Sequence, residues 1–463
     1  MCTMISPAEA ARRALAGFAG ELIGPADPAY EGARALYNAM IDKRPALIGR
    51  PTSAAEVSAL VGFARWHDLP LAIRGGGHNG AGLASVDDGV VCDLSALKAI
   101  SVDPATRTVR VGGGALLNEV DAATHVHGLA VPFGVLSTTG VAGLTLGGGI
   151  GHLTRRHGLT IDNLLEAQVV LADGQQVTAS ADENTDLFWA IRGGGGNFGV
   201  VTEFRFRAHP VTTVVGGPTF WALEDAPAVV AAYREYLPTA SRNVGAFLAF
   251  HTVPPGPPFP EAIHLRKVCG IVWCIDGTDE EAAEAMAPLL AVAEPLMHGA
   301  GRLPLLGLNT MFDGLYPAGD QWYWRADFVD QLPDEAVARN MEWNERVPTW
   351  KSGSHIYPID GAAHDVAADA TPWAYRDTTW AQVMIAVDPD PAGADALRDW
   401  AIGYWEDVHP YSAGGAYVNF MMEEGQARVR ATYGANYDRL ARVKATYDPD
   451  NVFRVNQNIQ PAG

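Results

Sequence analysis

The sequence contains, at residues 74–80, the segment Arg74-Gly75-Gly76-Gly77-His78-Asn79-Gly80. Two further glycine-rich segments follow, at residues 136–151 and 192–199. Because glycine lacks a Cβ, backbone N–H groups in such runs can converge on an anion, and a pyrophosphate is a natural candidate. Any single run is equally compatible with a tight turn or a bulge. Together the three runs predict a dinucleotide site.

Two of these runs match the GxGxxG pattern of Rossmann folds, which requires a strand before the glycines and a helix directly after them. The first match, at residues 75–80, follows a strand-like run, but residues 81–89 show no amphipathic helical pattern. The second, at residues 194–199, has the reverse context, with a helix-like run before it and a strand-like run after it. We therefore exclude a Rossmann site, which also argues against a nicotinamide-dependent dehydrogenase, and expect a dinucleotide bound by loops.

The composition indicates a large globular chain. Its length of 463 residues suits two or three domains. Hydrophobic residues make up 48% of the chain and charged residues 19%, which suits a large core. The net charge of −20 argues against nucleic-acid and membrane partners. No apolar signal core or membrane-length run is present, and the cysteines form neither a CxxC pair nor a Cys/His cluster with zinc spacing, so we expect a cytoplasmic protein without a metal site. The thiols expected to be reduced are Cys2, Cys92, Cys269 and Cys274.

The periodicity of the chain predicts two regions of mixed structure, with a shift in composition after Pro210. Before it, the strand-like runs are Leu71–Arg74, Val90–Leu94, Thr108–Val111, Ala167–Leu171 and Val200–Arg207, and the helix-like runs are Ala54–His67 and Asn118–His127. After it, strand-like runs alternate with longer helix-like ones: Ile263–Ile275, Asp279–Ala293, Trp322–Val329, Asp334–Arg346, Ala381–Val387 and Ala392–Val408. This order predicts an α+β fold in which helices cover one face of a sheet.

The order of the motifs resembles a known family. After His78 come Val91–Leu94, residues 137–151, Arg156–Leu159, Asp162-Asn163, Phe188–Thr202, Tyr417–Asn419, Tyr433-Gly434 and Asn456–Ile459. In this order they resemble the FAD-linked oxidases of the vanillyl-alcohol oxidase superfamily, in the berberine-bridge-enzyme-like group. That group includes 6-hydroxynicotine oxidases and oligosaccharide oxidases, and the resemblance spans essentially the whole chain.

The resemblance implies a two-domain fold of the vanillyl-alcohol oxidase type. Residues 1–211 are expected to form an FAD-binding domain, and residues 212–411 a substrate domain whose antiparallel sheet roofs the flavin ring. Residues 412–463 are expected to return to the FAD-binding domain. The shift in composition after Pro210 agrees with this division independently.

The resemblance also implies a covalent bond between His78 and the methyl group at the benzenoid edge of the flavin. Such a bond needs a neutral imidazole held next to that methyl group, which a histidine in a rigid glycine loop provides. Taken alone, His78 would more simply cap a turn. Many family members have a second link through a cysteine just before the second glycine segment. Leu136 occupies that position here, so a single covalent link is expected.

Further contacts to the cofactor are expected along the same motifs. Besides His78, the expected residues are Arg74, Gly75, Gly76, Gly77, Asn79, Gly80, Ser137, Thr138, Thr139, Gly140, Gly143, Leu144, Gly147, Gly148, Gly151, His152, Leu153, Gly196, Gly199, Val200, Val201, Asn419 and Asn456.

Tyr417 is the first candidate for the catalytic base, because sugar-oxidising relatives place a tyrosine base in this motif. Its phenol would need a lowered pKa, and the alternative is that it only hydrogen-bonds the substrate or the flavin. Asn419 is expected on the same side of a strand, as a polar contact to either of them.

Residues 322–325 are the second candidate region. Period-two alternation places Trp322 and Trp324 on one face of a strand, and Tyr323 and Arg325 on the other. Aromatic residues on a sheet usually belong to the core. The resemblance nevertheless favours Tyr323 as a catalytic contact, with Trp380 and His355 as weaker candidates.

We therefore expect an FAD-dependent oxidoreductase that oxidises a small organic donor by hydride transfer to flavin N5, with O2 as the acceptor and hydrogen peroxide as the product. The donor is an alcohol, a sugar hydroxyl, an amine or a natural-product ring. Two alternatives stay open: a dehydrogenase with another acceptor, and a flavin-binding protein without catalysis. Reduction of the flavin by a donor separates the last alternative from the others.

Overall fold

The computed structural model describes residues 6–463, so Cys2 lies outside the described residues. The described strands form three sheets in chain order. The first contains β1 (Glu21–Ile23), β2 (Leu47–Arg50), β3 (Leu71–Arg74) and β4 (Val90–Asp93). The second contains β5 (Ile100–Asp103), β6 (Thr108–Gly112), β7 (Leu164–Val170), β8 (Gln176–Ser180) and β9 (Val200–Arg207). The third contains β10 (Thr213–Ala222), β11 (Val244–Thr252), β12 (Lys267–Ile275), β13 (Met297–His298), β14 (Gly301–Pro304), β15 (Gln321–Val329), β16 (Gly353–Pro358) and β17 (Trp380–Asp388).

Helices connect and cover these sheets. They are α1 (Pro7–Ala14), α2 (Tyr30–Arg34), α3 (Ala54–Trp66), α4 (Leu117–His125), α5 (Val141–Gly147), α6 (Thr154–His157), α7 (Thr185–Ile191), α8 (Ala226–Tyr236), α9 (Asp279–Leu290), α10 (Leu305–Asn309), α11 (Asp334–Glu345), α12 (Ala394–Val408), α13 (Gln426–Tyr433) and α14 (Tyr437–Tyr447). Local caps fix where some of them begin. The Ser53 hydroxyl accepts from the Glu56 N–H at α3, and Thr278 and Glu281 form a reciprocal capping box at α9.

The three sheets differ in topology. The first has the order β1-β2-β4-β3, with parallel pairing of β2 and β3 to β4 and antiparallel pairing of β1 to β2. The second, β5-β6-β9-β7-β8, is antiparallel. The third has the order β13-β10-β12-β11-β16-β17-β15, with β14 beside β10, and is antiparallel throughout.

The two faces of the third sheet pack against different partners. On β11, Leu248 and Phe250 join the core beneath α8, α9 and α11. Their neighbours Phe247 and Ala249 point the other way and join the core shared with residues 109–214 and 416–459. This period of two gives the sheet one helix-covered face and one inner face directed at the glycine segments.

Three structural predictions need correction. Strands β11 and β16 have no predicted counterpart, because every residue in them is buried and polarity does not alternate. Residues 141–147 form helix α5 rather than a loop, since burial of Val141 and Leu146 outweighs the low helix propensity of glycine. Residues 418–420 form a 3₁₀ turn rather than a strand, because this segment crosses α5 instead of pairing with a sheet.

Among residues 6–463, no helix combines the length and the apolar character needed to cross a membrane. Within the same range, no group of three or more His, Cys, Asp or Glu side chains could hold a metal ion. Cys92, Cys269 and Cys274 are buried and unbridged.

Candidate active site

A cavity of about 330 Å³ lies between the glycine segments, the inner face of the third sheet and the C-terminal segment. Of the residues expected to contact the cofactor or the substrate, many line this cavity. They are Gly75, Gly76, Gly77, His78, Asn79, Thr139, Gly140, Gly143, Leu144, Gly196, Gly199, Val201, Tyr417, Asn419 and Asn456. The three glycine segments, which are far apart in sequence, therefore meet at one site.

The first two glycine segments cross at Gly76 and Gly140. A Cβ on either residue would clash with the backbone nitrogen of the other, so both positions require glycine. Gly77 has a φ of +72°, a left-handed conformation that side chains rarely adopt. The backbone of this loop is therefore fixed by contacts that only glycine allows.

The residues around the cavity fit a bound dinucleotide. A Cβ on Gly143 or Gly196 would meet no heavy atom within 4 Å, and both glycines line the cavity. Two lining residues also carry free polar atoms: the Tyr433 hydroxyl and the Asn456 Oδ1 are buried and make no hydrogen bond within the described residues. Buried polar atoms normally have partners, so these two are available to a ligand.

His78 lies in the wall of the cavity with its ring fixed on two sides. Its Nε2 is 3.1 Å from the Thr138 hydroxyl, and its ring stacks on Tyr37 with centroids 3.9 Å apart. Asn38 ties this loop to β15, because its amide donates to the carbonyls of Gly80 (2.7 Å) and Trp322 (2.9 Å). Desolvation lowers the pKa of His78 to about 4, so its imidazole is neutral at physiological pH.

Leu136 lines the same cavity beside an apolar cluster that contains Tyr37, Tyr316 and Trp322. The cavity lining contains no cysteine within the described part of the chain. Among the residues that the structure describes, no thiol is therefore placed to form a second link of the kind found in many family members.

Tyr417 and Asn419 form a hydrogen-bonded pair at the end of α5. The Tyr417 hydroxyl accepts from the Asn419 amide at 2.7 Å and from the Gly149 N–H at 3.0 Å. Asn419 also donates to the Leu144 carbonyl at 3.1 Å. These donors favour a phenolate, but burial outweighs them and raises the pKa of Tyr417 to about 12. The lowered pKa that a tyrosine base needs is absent from this arrangement.

The prediction for residues 322–325 was correct in its alternation and wrong in its choice of face. Trp322 and Trp324 line the cavity. Tyr323 points to the opposite face of β15, where it packs with α12 and lies under the Arg398 guanidinium. Tyr323 is therefore not a catalytic contact, because the sheet separates it from the cavity.

Of the two weaker candidates, the structure brings only His355 to the cavity. His355, on β16, lines the cavity beside Tyr357. Trp380 belongs to the core on the helix-covered face.

Several residues expected to touch the cofactor lie behind the cavity wall. A Cβ on Gly80 would clash with the Trp324 ring, one on Gly147 with Asn419, one on Gly148 with Trp373, and one on Gly151 with the Phe133 carbonyl. These four glycines permit close packing of protein on protein, and none of them lines the cavity.

The other expected contacts outside the lining also have structural partners. Ser137 hydrogen-bonds Asp313 through its hydroxyl and its N–H, and Thr138 holds His78. Arg74 is buried behind the first glycine loop, with its Nε donating to the Ala84 carbonyl at 3.3 Å. His152 packs against Phe247, and Leu153 and Val200 lie in the core. Val200 points away because β9 alternates, which leaves Val201 facing the cavity.

Sequence reasoning missed several lining residues. Phe247 and Phe312 carry no motif, and the fully buried strand β11 gives no alternation that would reveal Phe247. Asn197 had a signal, since it lies within the third glycine segment. It is fully buried and donates to the carbonyls of Gly194 (2.9 Å) and Gln457 (3.2 Å).

Comparisons with known proteins agree with this architecture. A family model for an FAD-binding domain matches residues 45–180, and a model for berberine and berberine-like proteins matches residues 416–460. An FAD-linked oxidoreductase of Bacillus subtilis is 31% identical over 96% of this chain and 97% of its own length. The (R)-6-hydroxynicotine oxidase of Paenarthrobacter nicotinovorans is 30% identical over 96% of this chain and 97% of its own length.

Solved structures show the same fold. The 6-hydroxy-D-nicotine oxidase of Arthrobacter nicotinovorans is 25% identical, with a TM-score of 0.84 over 96% of this chain and 98% of that one. The glucooligosaccharide oxidase of Acremonium strictum, 22% identical, has a TM-score of 0.86 over the whole of both chains. The expected two-domain α+β fold is confirmed. The chain belongs to the berberine-bridge-enzyme-like family of FAD-linked oxidoreductases.

Proposed function

We propose that this enzyme oxidises a small organic donor with an FAD attached through His78 alone, and that O2 accepts the electrons. The observation that carries the proposal is the position of His78, which is fixed by Thr138 and Tyr37 in the wall of the dinucleotide cavity. Membership of a family with named oxidases supports the choice of O2.

Different residues of the cavity would bind different parts of FAD. Backbone groups of Gly75, Gly76 and Gly77 would face the pyrophosphate, while the Tyr433 hydroxyl and the Asn456 Oδ1 offer polar partners. When bound, FAD accepts a hydride from the donor carbon at N5. The inner face of the third sheet positions that donor and excludes water.

The covalent link uses the nitrogen of His78 that is not engaged by Thr138, namely Nδ1. His78 would hold the flavin through this nitrogen, with its ring oriented by Thr138 and Tyr37, and bound FAD would itself supply the oxidising power that the bond requires. The glucooligosaccharide oxidase of Acremonium strictum carries a 6-S-cysteinyl, 8α-N1-histidyl FAD. Leu136 leaves only the histidyl link for the present chain.

Tyr417 would act as a hydrogen-bond donor rather than as a base. Its oxygen already accepts two N–H groups, and its proton is retained by a pKa of about 12. Its O–H is then free to orient the flavin or the substrate.

We further assign residues 1–211 and 412–463 to the FAD-binding domain and residues 212–411 to the substrate domain. In support, all eight strands of the third sheet lie between Thr213 and Asp388.

The test is an anaerobic donor panel of alcohols, sugars, amines and phenols. We expect at least one donor to bleach the flavin absorbance, and air to restore it with one equivalent of hydrogen peroxide. Flavin that stays reduced in air would indicate a dehydrogenase. A flavin that no donor bleaches would contradict catalysis.

A further inference from the structure

The ring of His78 is held between two side chains that depend on the same remote segment. Tyr37 stacks on the ring with centroids 3.9 Å apart and planes at 21°, and the Thr138 hydroxyl lies 3.1 Å from Nε2. Residues 310–320, which join α10 to β15, bind Tyr37 directly and bind the residue next to Thr138. The orientation of His78 is therefore set by a part of the chain that is far from it in sequence.

Thr138 lies in a tight turn that is fixed by Asp313. The turn spans residues 136–139 and is closed by a hydrogen bond of 3.2 Å between its end residues. The Asp313 carboxylate accepts from the N–H of Ser137 at 3.2 Å and from its hydroxyl at 2.5 Å. Ser137 is only 1% exposed, so water has little access to these bonds. A charged acceptor with two hydrogen bonds thus fixes the backbone from which the Thr138 side chain projects.

The start of α4 holds the turn by backbone groups. The N–H groups of Leu117 and Asn118 donate to the carbonyls of Thr139 (3.0 Å) and Ser137 (2.9 Å). These bonds do not involve Asp313, so they persist in a variant that lacks its carboxylate. Such a variant would keep the turn in place but leave it free to tilt.

Tyr37, on the other side of His78, is bound to the backbone of the same segment. Its hydroxyl donates to the Tyr316 carbonyl at 2.6 Å, and its carbonyl accepts from the Gly319 N–H at 3.0 Å. The N–H of Ala39 donates to the Asp320 carbonyl at 2.9 Å. On this side the segment contributes backbone groups, whereas on the Thr138 side it contributes a side chain that one substitution can remove.

We propose that Asp313 is a positioning residue for the attachment of FAD, which acts through Ser137 and Thr138 to hold the ring of His78. This inference rests on the proposed function, because it concerns the histidyl link assigned there, and it adds no chemical step to that link. Thr138 engages Nε2, so the ring cannot turn over without losing this bond. A ring released from Thr138 would adopt orientations in which Nδ1 points away from the flavin methyl group, and attachment would slow because the reacting atoms are less often aligned.

A second hydrogen bond between the same regions provides a control. Asn309, at the end of α10, donates to the Asp121 carboxylate on α4 at 2.8 Å, and both side chains are buried. Asn309→Ala removes this bond and leaves the contact between Asp313 and Ser137 intact. It therefore measures what a general loosening of α10 against α4 does to attachment.

The test is the time course of attachment in the full-length protein. Each variant is produced with limiting flavin, incubated with saturating FAD in air and sampled into acid, and the flavin in the precipitate is counted as attached. The dissociation constant of noncovalent FAD is measured separately in a His78→Ala background by flavin fluorescence. We expect Asp313→Ala to slow attachment at least about tenfold with an unchanged dissociation constant. Asn309→Ala should match the wild type in both measurements.

Conservative variants separate positioning by hydrogen bonds from an effect of charge. Asp313→Asn is uncharged but can still bond the N–H and the hydroxyl of Ser137, so its attachment rate should be close to that of the wild type. Thr138→Ser keeps the hydroxyl and should also attach FAD normally, whereas Thr138→Val should be as slow as Asp313→Ala. The double variant Asp313→Ala/Thr138→Val should be no slower than either single one, because both act through one contact. Ser137→Ala removes one of the two bonds and replaces Asp313→Ala in the test if that variant does not fold.

The possible failures of the two claims are distinct. Attachment at the wild-type rate in Asp313→Ala would overturn this inference and leave the histidyl link standing. Equal slowing by Asn309→Ala, an Asp313→Asn variant as slow as Asp313→Ala, or a dissociation constant that rises as much as the rate falls would also overturn it. Wild-type protein that never retains flavin in the acid precipitate would contradict the proposed function and this inference together.

Discussion

Replacing Gly143 with alanine is expected to stabilise the protein and impair its reaction. Gly143 lies inside α5, where alanine is favoured over glycine by about 0.5–1 kcal/mol. No heavy atom lies within 4 Å of the new Cβ, so the protein itself does not resist it. The methyl group instead projects into the cavity that we assign to FAD.

The expected loss of turnover follows from the position of the new methyl group. A methyl group in the cavity wall displaces the flavin, and misplacement of a reacting centre by about 1 Å costs about 100-fold in rate. Thermal unfolding of Gly143→Ala in a His78→Ala background, after removal of the noncovalently bound FAD, should show a midpoint raised by about 2 °C or less. Steady-state turnover of the Gly143→Ala enzyme with its best donor should fall about 100-fold.

Gly62→Ala is the matched control. Gly62 lies within α3, away from the cavity, and its Cβ would also meet no heavy atom within 4 Å. This variant should gain similar stability and keep full turnover. If Gly143→Ala kept both wild-type turnover and wild-type flavin content, the cofactor could not lie against this face of α5.

Three further predictions concern stability and the site. Tyr417→Phe removes the acceptor of the Gly149 and Asn419 N–H groups, so the free energy of unfolding in denaturant should fall by about 1–3 kcal/mol while the flavin is retained. An unchanged free energy of unfolding would contradict these hydrogen bonds. The pKa values of His152 and His355 are held at about 4 and about 3 by burial, so the unfolded chain binds protons that the folded chain refuses. Urea titrations should therefore show stability retained above pH 6.5 and reduced by about 2 kcal/mol per buried histidine at pH 5, whereas a flat profile would refute their neutral burial. Lys444→Met leaves Asp448 buried without its cation and the Asn197 and Phe453 carbonyls without their donor. The free energy of unfolding in denaturant should therefore fall by about 3–5 kcal/mol, and a fall below about 1 kcal/mol would contradict the role of this buried pair.

The glycine segments could be located from the sequence because their conformation depends on the absence of a Cβ. Gly76 and Gly140 meet backbone to backbone, and that need is visible in the residue type itself. The absence of a Cβ does not, however, show what a glycine packs against. Gly80 and Gly147 make room for Trp324 and Asn419 rather than for a ligand.

The choice of face on β15 could not be predicted from the sequence. Alternation separates Trp322 and Trp324 from Tyr323, but either set is compatible with a helix or a cavity. The register of β15 against β17 and the position of α12 decide it, and both depend on contacts remote in sequence. His355 was a weak candidate for the same reason, because its neighbours come from β11 and from the segment before β15.

The most direct test of the account is whether the flavin stays with the protein after unfolding. The protein is precipitated with acid, washed in denaturant and digested, and the yellow peptide is sequenced by mass spectrometry. We predict that the colour stays in the pellet and that the mass of FAD is carried by His78 alone, while His78→Ala releases all of it and still binds FAD noncovalently. Colour that washes entirely into the supernatant of the wild-type protein, or FAD found on another residue, would contradict the central claim.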